Sequence, residues 1–311
     1  MAFLHELKLA TLTPGLFLAA RLYGNAESPA ADAPRFVFLH GWMDNCASFE
    51  RLIPALQAGL PPSSQLLAVD LIGHGQSSAL PGGFYTLPTH AALLAEALNV
   101  LGGGWEEGVF FVCHSMGGAV GILCGGAWPE RCRGLILLDS AGPITRSPSE
   151  APDHMSKFAG FKAALAARPG GSAYASIDGA VQARLLTVAT YPGNQTLSME
   201  AARSLVERMV VQGEDGKWRW TFDSVIKGPS ILGLTEEAVL EFCTRIGTCI
   251  PVLLVRAEKG WPYPEESMAQ RVKAMGAAVV RVPGGHHAHL DPLTAAEVSN
   301  QVLTWLSAKG V

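Results

Sequence analysis

Val109-Phe110-Phe111-Val112-Cys113-His114-Ser115-Met116-Gly117-Gly118 is the stretch on which the fold turns. Four bulky or β-branched apolar residues in a row suit a strand buried on both faces. Residues 119–127 are small and apolar and Pro129 follows, which predicts a closely packed helix. Ser115 then sits at the tip of a strand-to-helix turn. Its hydroxyl projects into a cleft, over helix N–H groups that could stabilise an oxyanion. This is the nucleophile-elbow pattern G-x-S-x-G with one departure, Cys113 in place of the first glycine. An ordinary strand–turn–helix with an N-cap serine would share the string. The buried strand on one side and the small-residue helix on the other favour the nucleophile.

Strand and helix patterns alternate on both sides of this centre. Residues 4–11 and 16–23 read as two strands joined at Pro14-Gly15, and 25–34 as a polar, alanine-rich loop. Residues 35–39 and 65–69 are short buried strands, ending in His40-Gly41-Trp42-Met43-Asp44-Asn45 and in Asp70-Leu71-Ile72-Gly73-His74-Gly75-Gln76-Ser77. Helices are predicted over 49–58 and 87–101, and a strand over 135–138 that closes on Asp139. After residue 234 the pattern resumes: helix 235–246 with Thr235 as N-cap, strand 251–256, helix 264–275, strand 277–282 and helix 294–306. Such alternation predicts a parallel, doubly wound sheet.

The 311 residues leave room for one large α/β domain with an insertion. Hydrophobic residues at 49% and charged residues at 16% predict a substantial core. A net charge of −4 without a basic run argues against nucleic acid as a partner. The six cysteines form no C-x-x-C pair and read as reduced, buried side chains of a cytoplasmic protein. Glu6 and Lys8 interrupt the N-terminal apolar run, so no signal peptide is expected. No stretch of eighteen apolar residues predicts a membrane span.

Taken together, H-G-W at 40–42, D-L-I-G-H-G-Q-S at 70–77, C-H-S-M-G-G at 113–118 and G-G-H-H-A-H-L-D at 284–291 resemble the α/β-hydrolase fold superfamily. They are similar in particular to serine-hydrolase-like proteins and related bacterial esterases. The resemblance implies a mostly parallel eight-stranded sheet as core (1–142 and 235–311) and an inserted helical cap (143–234). Within the insertion the strand rhythm vanishes, and 155–167, 181–190 and 199–211 read as helices. The cap is expected to be separable from the core, and Trp218 and Trp220 near its end are candidates for lining the substrate cavity.

Serine attacks only when a base takes its proton. In related hydrolases the histidine directly after glycine on the last loop is that base, which selects His286. His287 is the reserve choice, and His289 is expected to support the loop. Three clustered histidines also suit a metal site. No carboxylate or cysteine ligand set accompanies them in sequence, so no metal is expected. The acid of related enzymes usually ends a G-x-x-D turn after the next-to-last strand. This chain has Ala257-Glu258-Lys259-Gly260 there. Two substitutes remain: Asp139, at a point where haloalkane dehalogenases carry their acid, and Glu258. A strand terminus fixes geometry better than a loop, so Asp139 is preferred. The oxyanion donors are expected to be the backbone N–H groups of Trp42 and Met116. His40 and Asp70 are expected to hold loops.

The resemblance thus implies a cofactor-free serine hydrolase of carboxylesterase type. Its small-molecule substrate is a carboxylic ester, a thioester or a lactone, cleaved through an acyl-enzyme. Carbon–carbon bond hydrolysis and perhydrolysis use the same triad. A ligand-binding or receptor-like protein with little turnover is the rival from another class, resting on the missing G-x-x-D aspartate. Acyl specificity and oligomeric state are not encoded in these patterns.

Overall fold

The computed structural model describes residues 5–24, 33–167 and 171–311. Leu4 and most of the loop expected at 25–34 lie outside the described residues. An eight-stranded sheet forms the frame, in the order β1-β2-β4-β3-β5-β6-β10-β11. These are β1 (His5–Ala10), β2 (Phe17–Gly24), β3 (Arg35–Leu39), β4 (Gln65–Val69), β5 (Val109–His114), β6 (Cys132–Leu138), β10 (Val252–Lys259) and β11 (Ala278–Gly285). β2 is antiparallel to both of its neighbours, β1 and β4. All the other pairings are parallel.

Helices cover both faces. On one lie α1 (Leu52–Gln57) and α9 (Ala295–Ser307). On the other lie α2 (Leu87–Leu101), α3 (Met116–Ala127), α7 (Glu236–Gly247) and α8 (Glu265–Met275). β5 shows why its run of apolar residues is unbroken. Val109, Phe111 and Cys113 enter one core cluster, and Phe110 and Val112 enter the other. A strand buried on both sides has no polar face to show.

The chain runs from β3 outward to β4, then returns across β3 to β5. The sheet therefore has a switch point beside β3, where open α/β sheets leave a crevice at the carboxyl ends of their strands. Register brings the ends level. His114 pairs with Leu138, so Ser115 and Asp139 leave adjacent strands at the same height. Cys113 pairs with Leu39, which sets the His40-Gly41-Trp42 turn beside them.

Residues 143–234 lie between β6 and α7 and carry α4 (Ala151–Ala166), α5 (Ile177–Ala189) and α6 (Met199–Arg208). They are not wholly helical. β7 (Ala173–Tyr174), β8 (Val210–Gln212) and β9 (Trp218–Trp220) form a small antiparallel sheet in the order β7-β9-β8. Trp218 and Trp220 lie on this ribbon, where Trp220 stacks on Phe222 at 5.4 Å, and neither lines the main cavity. Strands of two or three residues are too short for periodicity to reveal.

Nor does the segment sit as a detachable lid. Arg208 reaches out of α6 to Asp70 at 3.0 Å and Glu6 at 2.6 Å, and Arg184 of α5 pairs with Asp44. Arg208, Arg184, Asp70 and Asp44 are all buried. Removing the segment would leave two carboxylates buried without their cations, which is strongly destabilising. Five cysteines are buried and unpaired as expected, while Cys249 is exposed. Among the described residues no helix is long and apolar enough to cross a membrane.

Candidate active site

Ser115 follows β5 with φ +52° and ψ −118°, outside the comfortable range of a residue with a side chain. Asp139 (φ +45°) and Met43 (φ +62°) share a positive φ, and all three end or follow strands at the switch point. Strained backbone gathered in one place marks a functional site. The elbow tolerates Cys113 because residue 121 on α3 is glycine. A Cβ at 121 would fall 2.7 Å from the Cys113 sulfur.

One imidazole bridges Ser115 and Asp139. His286 Nδ1 lies 2.6 Å from Asp139 Oδ2, and Nε2 lies 2.8 Å from Ser115 Oγ. A carboxylate only accepts, so Nδ1 carries the proton and Nε2 presents a lone pair to the serine hydroxyl. Asp139 also accepts from Arg256 Nη1 (2.6 Å), Ala257 N (3.2 Å) and Trp261 N (2.7 Å). Burial alone would raise its pKa. The hydrogen bond and charge of His286, with Arg256 and the Trp261 N–H, outweigh burial and hold it below the usual carboxylate range. Burial also lowers the His286 pKa, against the pull of Asp139, and keeps the ring neutral near pH 7.

Glu258 is exposed near the end of β10. It is Asp139 that stands against His286. The glycine at the usual acid position is what admits it: a Cβ on Gly260 would fall 2.1 Å from Asp139 Oδ1. The two positions are therefore sterically exclusive, and an aspartate at 139 requires no side chain at 260.

His287 turns away from Ser115 toward Asp44, with Nε2 3.2 Å from Oδ2. His289 bonds Ser48 Oγ at 2.9 Å, in the loop-supporting place expected of it. His40 Nε2 accepts from Leu71 N and its Nδ1 donates to the Gly41 carbonyl. Asp70 accepts from Cys46 N and Gln76 N. Both hold loops at the strand ends.

Met116 and Trp42 line the same cavity as Ser115 and His286. Gly117 lets α3 begin against the end of β3, since a Cβ there would fall 2.1 Å from the Leu39 carbonyl oxygen. That contact packs the start of α3 against the Leu39-His40 end of β3. The cavity has a volume of about 430 Å³. Its walls are mostly apolar or aromatic (Leu87, Pro143, Ile144, Tyr191, Leu232, Trp261), with Arg146 and His154 among the few polar groups.

Several contributors were not visible in sequence. Buried Gln195, from the inserted segment, accepts from the His286 N–H at 3.0 Å and donates to the Gly260 carbonyl at 3.1 Å. It ties the histidine loop to the turn that holds Asp139. Trp42 Nε1 donates to the Ile226 carbonyl at 2.7 Å and anchors the Gly41-Trp42 turn to the same segment. Nothing in the local pattern around 195 or 226 announces these contacts.

Comparison with known proteins agrees with this architecture. Residues 36–298 match the model of the alpha/beta hydrolase family. A serine hydrolase-like protein of Danio rerio is 28% identical over 284 residues, spanning 87% of this chain and 81% of its own length. An esterase of Mycobacterium tuberculosis is 28% identical over 205 residues, spanning 66% of this chain and 62% of its own. The crystal structure of a hypothetical protein from Pseudomonas aeruginosa superposes with a TM-score of 0.83 at 32% identity, over 98% of this chain and 100% of that one.

Proposed function

The chain belongs to the alpha/beta hydrolase family, and on that premise we propose that it is a serine hydrolase cleaving a carboxylic ester through an acyl-enzyme. The observation that carries the reading is the single imidazole joining Ser115 Oγ to the Asp139 carboxylate at the foot of the cavity. His286 Nε2 takes the Ser115 proton as Oγ attacks the ester carbonyl. Asp139 holds the ring in the tautomer that can accept that proton and stabilises the imidazolium that results. The N–H groups of Met116 and Trp42 receive the oxyanion. The tetrahedral intermediate collapses, the alkoxide leaves with the proton from His286, and the acyl group stays on Ser115. Water, deprotonated by the same imidazole, then releases the carboxylic acid and restores the serine.

The cap formed by 143–234 supplies Tyr191, Arg146 and Leu232 to the cavity and so selects the acyl or alcohol group. The binding-protein reading rested on a missing acid; the Asp139 carboxylate 2.6 Å from His286 Nδ1 supports the hydrolase instead. A fluorophosphonate probe tests the proposal. One equivalent should label Ser115 in the folded protein, and Ser115→Ala should abolish labelling and lower ester turnover by about 10⁶-fold. Folded wild-type protein that resists the probe would overturn the assignment.

A further inference from the structure

The inserted segment reaches the triad through one side chain. Gln195 lies in the loop between α5 and α6 and is only 3% exposed. Its Oε1 accepts from the His286 backbone N–H at 3.0 Å, and its Nε2 donates to the carbonyls of Gly260 at 3.1 Å and Pro192 at 3.2 Å. A backbone N–H can only donate and a carbonyl can only accept, so these partners fix which way the amide faces. Gly193, at φ +83°, leaves it room, since a Cβ there would fall 2.9 Å from Nε2.

The Gly260 carbonyl belongs to the same peptide unit as the Trp261 N–H, which donates to Asp139 Oδ2 at 2.7 Å. That oxygen also accepts from His286 Nδ1 at 2.6 Å. The hydrogen bonds therefore close a ring. It runs from the His286 main chain through the Gln195 amide, the 260–261 peptide and the Asp139 carboxylate to the His286 imidazole. Accepting at Oε1 strengthens the Nε2 donor, and accepting at the Gly260 oxygen strengthens the Trp261 N–H, so the links polarise one another in one sense and end on a carboxylate. With main chain and Nδ1 both held from one frame, Nε2 is aimed at Ser115 Oγ, 2.8 Å away. Gln195 itself does not line the main cavity, so its influence passes through His286 and not through substrate. Tyr191, four residues earlier in the same loop, does line it.

We infer that Gln195 is a positioning residue for proton transfer at His286, so that the inserted segment sets kcat as well as choosing the substrate. The effect on rate rests on the serine-hydrolase reading, whereas the ring of hydrogen bonds does not. Removing the amide deprives the His286 N–H and the Gly260 carbonyl of this shared partner, and the histidine loop and the turn that holds Asp139 are no longer tied. A shift of about 1 Å between them suffices to cost about 10²-fold in rate.

The test uses the full chain with Gln195→Met, which keeps the shape and removes both bonds. Gln195→Glu is the second variant: it retains an acceptor for the His286 N–H and deletes the donor to Gly260, and it carries the test if the first does not fold. Circular dichroism confirms folding, and a lowered melting temperature counts neither way. On a p-nitrophenyl ester, kcat should fall at least about tenfold in Gln195→Met and at least about threefold in Gln195→Glu, with KM within about twofold of wild type. The downfield proton resonance of His286 Nδ1, identified by its loss in His286→Gln, should move upfield or broaden in Gln195→Met. Wild-type kcat in a folded variant, or a deficit confined to KM, overturns the positioning role. If the wild type hydrolyses no ester and Ser115 resists the fluorophosphonate probe, the hydrolytic reading fails by itself and the resonance decides. Its change in Gln195→Met then upholds the positioning of His286, and an unaltered resonance overturns it.

Discussion

At the scale of single residues the arrangement hangs on Asp139, whose carboxylate is shared by His286, Arg256 and two backbone N–H groups. Asp139→Asn keeps the size, removes the charge and can invert the hydrogen bond to Nδ1, so His286 is held in the wrong tautomer. We expect kcat/KM on an ester to fall by about 10⁴-fold, the loss seen for the equivalent change in a serine protease. Glu258→Gln, at an exposed position, should cost less than about tenfold. Melting temperature separates the roles. A carboxylate that served only to cap backbone would lower stability more than rate, and the reverse is expected here. His286 was selected, with His287 in reserve, by its likeness to the histidine that follows glycine in related hydrolases, whereas Asp139 was one of two possibilities. A partner 147 residues away leaves no local periodicity in the sequence.

Among the elements, the turn after β10 shows how one substitution answers another. Gly260 stands where related enzymes place their acid, and it leaves the volume that the Asp139 side chain occupies. Gly260→Ala introduces a Cβ that must push Asp139 away from His286. Since a misplacement of about 1 Å costs about 10²-fold in rate, kcat is expected to fall by that order. KM and far-ultraviolet circular dichroism should stay nearly unchanged. If Gly260→Ala retains wild-type kcat, Asp139 does not need this space and the pairing of the two positions is wrong. The inserted segment follows a related logic. Its helices were legible from their length and breaks, but its three short strands were not, and neither were the contacts made by Gln195, Arg184 and Arg208. Those are cross-chain contacts, and a polar side chain in a helix looks the same in sequence whether it faces solvent or a buried carboxylate.

For the whole molecule, the notable property is the number of buried histidines at the strand ends. His40, His74, His90, His114, His286, His287 and His289 are all buried. Burial lowers the pKa of each below 6.5, that of His90 to about 3. The unfolded chain therefore binds more protons than the folded one just below pH 6.5, and stability must rise with pH there. The contribution is full above pH 6.5 and is lost as pH falls from that value toward the folded-state values. Each group contributes up to about 1.4 kcal/mol per pH unit across its own window. Melting temperature should accordingly drop steeply between pH 7 and pH 5, with proton uptake on unfolding seen by calorimetry in buffers of different ionisation enthalpy. A melting temperature flat over that range would mean that these rings are already protonated in the fold.

The order of strands and helices, the position of the serine turn and the identity of the histidine loop were determined by the sequence alone. Each is a local pattern: an apolar run for a strand buried on both faces, small residues where a turn and helix must approach closely, glycine before a catalytic-type histidine. The tertiary structure decided which carboxylate meets His286, because register puts Asp139 level with Ser115 while Glu258 points to solvent. It also decided the company of Asp44. The histidines at 286–289 have no carboxylate near them in sequence, yet the turn after β3 delivers Asp44 to His287 from 243 residues before it. Proximity across a parallel sheet depends on strand order and register, and neither is written in the spacing of residues along the chain.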